Sequence, residues 1–505
     1  MTYQPKLSSA FNDTYLRSKH ISPQSGMCSL CTEECGGTCE IALASVLGKQ
    51  TVYPTNTGNN QIGSEKDYPI DFSHFNINGR VFGAMGANAN YEDASIYNVN
   101  LESEYGSFNP VKLALPFILP ALIKLNWQDY FAGAAMAGVT CVIGEEARDK
   151  DPNLKIEKGK VVEFRALKDI LDSFNKYYRG YGQIILQCNV EDDMLGIPEY
   201  AIKEYNLEAI EFKYGQAAKG TQPVRRLNNR KEALAKQKQG MIVRPNPMDP
   251  EIIEKDEKGI CPNFDIYTRL PLWDEEYMLK RIKGLRELGI KNIYFKMAGY
   301  DRYDIERVIR LASEAQIDMI TFDGAGGGSG YSPCKMMNEW GLPTILLEEI
   351  VCKIVDKLKE EESYIPAMAI TGGFTTEDHV FKALAFGNQN VTAVGLCRAS
   401  MTAAMTGKNI GERIKAGNIP KNLQKFGNRV DEIYHDLADL RSIYGKKADN
   451  FSLGAVGVFS YLNKLAFGLR HFAALNRKFD VKYLDRSDLI PLTRDANNLI
   501  RSNYL

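Results

Sequence analysis

The sequence predicts an α/β chain built on a (β/α)8 TIM barrel, and three observations carry that reading. Eight short apolar or β-branched runs recur between Leu113 and Gly395, amphipathic stretches separate them, and the pattern fills roughly 300 residues, the span of such a barrel. The runs are Leu113–Leu122, Val139–Ile143, Gln183–Cys188, Ala209–Lys213, Asn292–Met297, Met319–Phe322, Ala367–Ile370 and Val391–Gly395. Continuous apolar runs suit strands of a parallel sheet, because helices cover both of its faces. Trp273–Leu288 and Arg302–Ala315 have the spacing of such helices.

The barrel is expected over residues 76–418, between an irregular cysteine-rich segment (1–75) and a helical extension (419–505). The extension predicts helices over Leu423–Tyr444 and Leu453–Phe472. One connection departs from the rhythm. Tyr214–Leu272, rich in Lys, Arg, Asn and Pro, follows the fourth run and is read as a functional loop on the active-site face.

A chain of 505 residues with 44% hydrophobic and 25% charged residues can bury a large core. Its net charge of −1 argues against nucleic acid or an anionic membrane as the main partner. No apolar run is long enough to span a bilayer, and Met1–His20 is too polar for a signal peptide. A cytoplasmic, reducing compartment is expected, so the ten cysteines read as thiols or metal ligands.

Glycine-rich segments follow the last three runs: Asp323–Pro333, with Gly324 and Gly328, then Gly372-Gly373 after Thr371, then Gly395 shortly before Arg398. Barrels commonly bind phosphate with the loops after strands seven and eight, where glycine lets amides approach closely. Tight turns are the plain alternative for any one pair. Lys296 ends the fifth run, where a lysine either enters the pocket or is paired; beside a flavin it would offset negative charge on the reduced ring. Lys213 ends the fourth run and leads into Gln216 and Lys219; two lysines and an amide could hold a dicarboxylate, or form a solvated loop. Glu145 ends the second run and, alone, reads as a surface carboxylate as readily as a catalytic one. Gln187, in the third run, is placed with the cofactor residues.

Cys28, Cys31, Cys35 and Cys39 form C-x2-C-x3-C-x3-C. So short a run suits a 4Fe-4S cluster better than zinc, which favours two separated knuckles. Zinc and unliganded thiols stay open at this point. The other six cysteines are scattered in mostly apolar context and read as core thiols. The five histidines form no constellation, and no nucleophile elbow, P-loop or dinucleotide fingerprint is present.

Several of these segments resemble, in order, the FMN-binding domain of the glutamate synthases. Leu115–Ala121 resembles its first strand, Gly144-Glu145 its T-G-E-G, Glu211–Lys219 its E-I-K-x-x-Q-G-A-K, Lys296 the lysine of its V-K-L strand, Asp323–Pro333 its D-G-G-T-G-A-S-P and Thr371–Phe374 its D-G-G-L. The resemblance spans about residues 110–420, with a weaker echo in Leu484–Leu489. It implies FMN, with phosphate at Gly372, Gly373 and Gly395 and Lys296 beside the ring. It also implies a 2-oxo-acid or imino-acid site from Glu145, Lys213, Gln216 and Lys219, with hydride transfer to an imine.

Three departures follow. No N-terminal-nucleophile glutaminase segment is present, so ammonia is not expected from glutamine within this chain. The family's three-cysteine cluster motif after strand eight is reduced to Cys397, and P-G-E-G-G is missing after Lys219. The N-terminal cysteines could replace the lost cluster and take electrons from a ferredoxin-like carrier. The expected partners are thus a small-molecule substrate and that carrier, with the chain a homo-oligomer or a complex subunit. A different reduction or dehydrogenation on the same cofactors, and a non-redox phosphate-binding barrel with zinc, are the competing readings.

Overall fold

The computed structural model describes residues 31, 34–36, 40–48, 68–88, 90–123, 125–145, 147–217, 225–261, 263–325 and 340–501, and the statements below are of these. Eight parallel strands close a barrel in chain order: β1 Phe117–Leu122, β2 Thr140–Ile143, β3 Ile184–Cys188, β4 Ala209–Lys213, β5 Asn292–Ala298, β6 Met319–Asp323, β7 Ala367–Thr371 and β8 Ala393–Gly395. Each of the eight predicted runs therefore overlaps a barrel strand. The first run splits. Leu113 ends a separate antiparallel hairpin, Ser103–Tyr105 with Val111–Leu113, and β1 starts after Pro116, which has no N–H to give. Within β1 the register with β2 shifts between Leu119 and Leu122, around Pro120, for the same reason.

The helices that matter here are α1 Glu40–Leu47, α2 Trp127–Ala137, α3 Thr344–Glu360, α4 Glu377–Phe386, α5 Arg398–Lys415 and α6 Leu453–Leu475. The second predicted C-terminal helix is α6, which packs on α1, α2, α4 and α5. The first, expected over Leu423–Tyr444, is broken into short pieces, Val430–Ile433 and Leu437–Tyr444. Phe75–Ile77 pairs antiparallel with Leu489–Pro491, tying the two flanks of the barrel together. None of the described helices is long and apolar enough to cross a membrane.

The Tyr214–Leu272 connection is more than a loop. It contains a three-stranded antiparallel sheet with Phe264–Tyr267 between Arg225–Leu227 and Ile242–Arg244, and helices Arg230–Lys238 and Pro250–Glu257. Leu227, Ala233, Val243, Ile252, Phe264 and Ile266 form its own small core. Charged anchors hold it to the barrel: Lys236 pairs with Asp149, and Arg269 N–H bonds Glu191 Oε1 at 2.8 Å.

Strand side chains alternate faces, so residues two apart share one. Ile118, Val142, Ile185, Ala209, Tyr294, Met319, Ala369 and Ala393, one from each strand, form an apolar layer inside the barrel with Tyr105, Val111 and Leu113 of the hairpin. Tyr105 closes this floor, its hydroxyl 2.7 Å from Thr140 Oγ1 and its ring edge-on to Tyr294. Two residues further along the strands stand Pro120, Gly144, Gln187, Glu211, Lys296, Thr321, Thr371 and Gly395. The interior thus turns from apolar to polar in one step, toward the C-terminal mouth.

Candidate functional site at the barrel mouth

The polar layer begins with Gln187 on β3 and Glu211 on β4, paired across the sheet and both 1% exposed. Gln187 Nε2 donates to Glu211 Oε1 at 2.5 Å, while Gln187 Oε1 has no partner. Burial raises the Glu211 pKa; Lys296, the Gln187 hydrogen bond and Lys213 oppose it. On β6, Thr321 is buried with its hydroxyl unpartnered.

Lys296 lies on β5 beside Thr321 and is 3% exposed. It makes no hydrogen bond or ion pair with a described residue. Its charge acts on Glu211, Asp323 and Cys397 from within the barrel. Asp323, at the end of β6, accepts from the Ala217 N–H at 3.0 Å, and burial raises its pKa against the pull of Lys296, Arg398 and Lys213. Arg398 opens α5 at the mouth, facing Cys397 and Asp323, with burial lowering its pKa.

At the rim, Lys213 Nζ binds Glu145 Oε1 at 2.5 Å and Gln216 Oε1 at 2.9 Å. The structure therefore brings together Glu145, Lys213 and Gln216, as the sequence suggested, but with the lysine charge already matched by a carboxylate. A surface reading of Glu145 does not hold, since its side chain is 10% exposed in this pair.

The glycines have packing reasons of their own. Gly372 and Gly373 take φ of +135° and +102°, open to glycine alone without strain. A Cβ on Gly372 would sit 2.5 Å from Thr344 Oγ1, and one on Gly324 2.4 Å from it. Thr344 Oγ1 lies 2.8 Å from Gly372 O and 3.0 Å from Ala325 O, locking the ends of β6 and β7 to the start of α3. A Cβ on Gly395 would meet Thr371 at 2.6 Å and Pro120 at 3.0 Å.

Lys219, Gly328, Cys28 and Cys39 lie outside the described residues. Cys31 and Cys35 are buried against the far half of α5: Asn409 Nδ2 donates to Cys31 O at 2.8 Å and an Arg413 guanidinium N–H to Cys35 O at 3.0 Å. Asn409 is eleven residues beyond Arg398 in the same helix, or about 16 Å along its axis. Among the described residues no three His, Cys, Asp or Glu side chains stand as a metal site.

Glu211 and Thr321 were not singled out as site residues in the sequence. The available signal was phase: each lies two positions beyond a floor residue of its own strand.

Residues 258–407 match the family model described as the conserved region in glutamate synthase. That stretch carries β5 to β8 and the start of α5, with Lys296, Asp323, Gly372, Gly373, Gly395 and Arg398. Fold and matched region define the class: a (β/α)8 barrel that carries, over residues 258–407, the conserved region of glutamate synthase. No curated protein matches the chain. Solved structures similar in chain path include a flavocytochrome b2 double mutant with pyruvate bound, 13% identical over 84% of this chain and 77% of that one, TM-score 0.47. Another is a mandelate oxidase mutant with (S)-mandelic acid, 15% identical over 83% and 86%, TM-score 0.42.

Proposed function

We propose that the chain is an FMN-dependent oxidoreductase of glutamate synthase-like type. Its hydride exchange would join reduced FMN to a small imino or 2-oxo acid or a related amine. The carrying observation is the polar layer: a buried lysine with no described partner, beside a Thr321 hydroxyl without a described partner, with a Gln187 carbonyl oxygen without a described partner on the same inward layer. Buried polar atoms are rarely left unmatched, and an amide acceptor, a hydroxyl and a cation on one inward layer are groups that would hold the polar edge of a flavin. The amides of Gly372 and Gly373 and the start of α5 suit a phosphate. Bound there, FMN would supply the hydride chemistry.

The chain's own residues divide the remaining work. Lys296 supplies positive charge within the barrel, and Gln187, held by Glu211, presents its free oxygen. Lys213 fixes the Glu145 side chain at the rim, where it would accept or return a proton. Because Lys213 is already matched by Glu145, the pair favours the amine or imine end of the substrate range over a dicarboxylate.

The proposal extends to a 4Fe-4S cluster on Cys28, Cys31, Cys35 and Cys39, fed by a ferredoxin-like carrier, in a homo-oligomer or as the redox subunit of a larger complex. The thiolate donors suit iron–sulfur chemistry, and Cys31 and Cys35 are fastened to the helix that begins at the mouth. Anaerobic purification with flavin, iron and acid-labile sulfide quantitation tests both cofactors. Flavin near one per chain with iron and sulfide supports the whole reading, flavin alone removes the cluster, and no flavin removes the function.

A further inference from the structure

Away from the mouth, a cavity of about 470 Å³ opens at the N-terminal ends of β1 and β2, under α6. Phe459, Asn463 and Arg470 line it from one face of α6, and the 97–102 segment crosses that face. Arg179 enters from the loop before β3.

The two arginines stand there without acidic partners. Among the described residues, Arg470 Nε donates to Val99 O at 3.3 Å and no carboxylate lies within ion-pair distance. Arg179 Nε donates to Met136 O at 3.1 Å, and its guanidinium lies 5.2 Å from the centre of the Tyr181 ring. Two acids share the wall at longer range, each held by a neutral donor: Glu102 accepts from Tyr181 OH at 2.8 Å, and Asp439 from Asn463 Nδ2 at 3.2 Å. Burial pushes the Arg470 pKa down, and no carboxylate opposes it.

A partly buried guanidinium with no carboxylate in direct contact gains from an anion that can pair with it. The cavity falls within the usual size of ligand sites, and its wall adds apolar surface from Leu115 and Phe459. We propose that this cavity binds a small organic oxyanion, a carboxylate or phosphate ester. Its anionic group pairs with Arg470 and Arg179, and its hydrocarbon body lies on Leu115 and Phe459. This second site is chemically separate from the mouth.

Calorimetric titration of the full chain with hexanoate and with inorganic phosphate tests it. Saturable binding of either probe is expected, weakened by about tenfold or more in Arg470→Gln through loss of a charge-assisted bond, and unchanged in Lys296→Met. In the unaltered protein, the bound probe should slow amide exchange in residues 97–102 and 459–470, a readout that stands even if the arginine variant folds poorly. No saturable binding of either probe, affinity indifferent to Arg470→Gln, or protection confined to the barrel mouth overturns the proposal. Such a failure leaves the flavin reading intact, because no mouth residue lines this cavity.

Discussion

At Glu211 the chain buries a carboxyl inside the barrel with Gln187 as hydrogen-bond donor, and burial lifts its pKa although Lys296 and Lys213 oppose the shift. A raised folded-state pKa means the native state holds the proton more tightly. The stability this contributes is complete below the ordinary glutamate value of about 4.3 and is lost as pH rises through the folded value. Glu211→Gln removes that dependence and keeps a group able to bond Gln187. Thermal unfolding followed upward from about pH 4, the ordinary glutamate value, should show the variant losing less stability than the parent as pH rises; parallel curves would argue against a buried, proton-holding Glu211. Gly372 is the other residue with a sharp constraint, a positive φ with Thr344 Oγ1 where a Cβ would sit. Gly372→Ala should cost about 1–3 kcal/mol, read from the denaturant midpoint. A neutral result would mean the β7 end is looser than drawn.

Elements were legible to different depths. The eight strands could be read because each is a short run dominated by apolar or β-branched residues between amphipathic stretches, and the count of eight fits a closed barrel. Their ends were less clear: Leu113 belongs to the floor hairpin, and only the placement of Pro116 hints at the break. The module within Tyr214–Leu272 was hidden because its strands have only three or four residues and its core is small, so no run rose above the charged background. That separate core has a consequence. Phe264→Ala empties its centre, and a buried Phe-to-Ala change costs about 3–5 kcal/mol, more than so small a core can absorb. Limited proteolysis should then cut within 225–267 while the barrel strands keep their exchange protection. Simultaneous loss of protection in the barrel would show that the module and barrel unfold as one.

For the molecule as a whole, the site was partly readable because barrel geometry converts strand position into depth. Lys296, Asp323 and Lys213 could be placed at strand ends from the runs alone. The Lys213–Glu145 pairing could not, since it joins residues 68 positions apart whose side chains meet only after β2 and β4 take their places in the closed barrel. Glu211 was obscured by its own context, one acid in an apolar strand whose inward phase is set by the hairpin floor. The same assembly makes the mouth, with Lys296 at its base, the place where a flavin must sit if the functional reading holds. FMN titration of the purified chain, followed by reductive titration of the loaded protein, tests this most directly. One flavin per chain is predicted, with Lys296→Met lowering its two-electron potential by about 30–60 mV, the equivalent of losing one buried charge interaction. A chain that takes up no flavin, or a bound flavin whose potential is indifferent to Lys296→Met, would contradict the account.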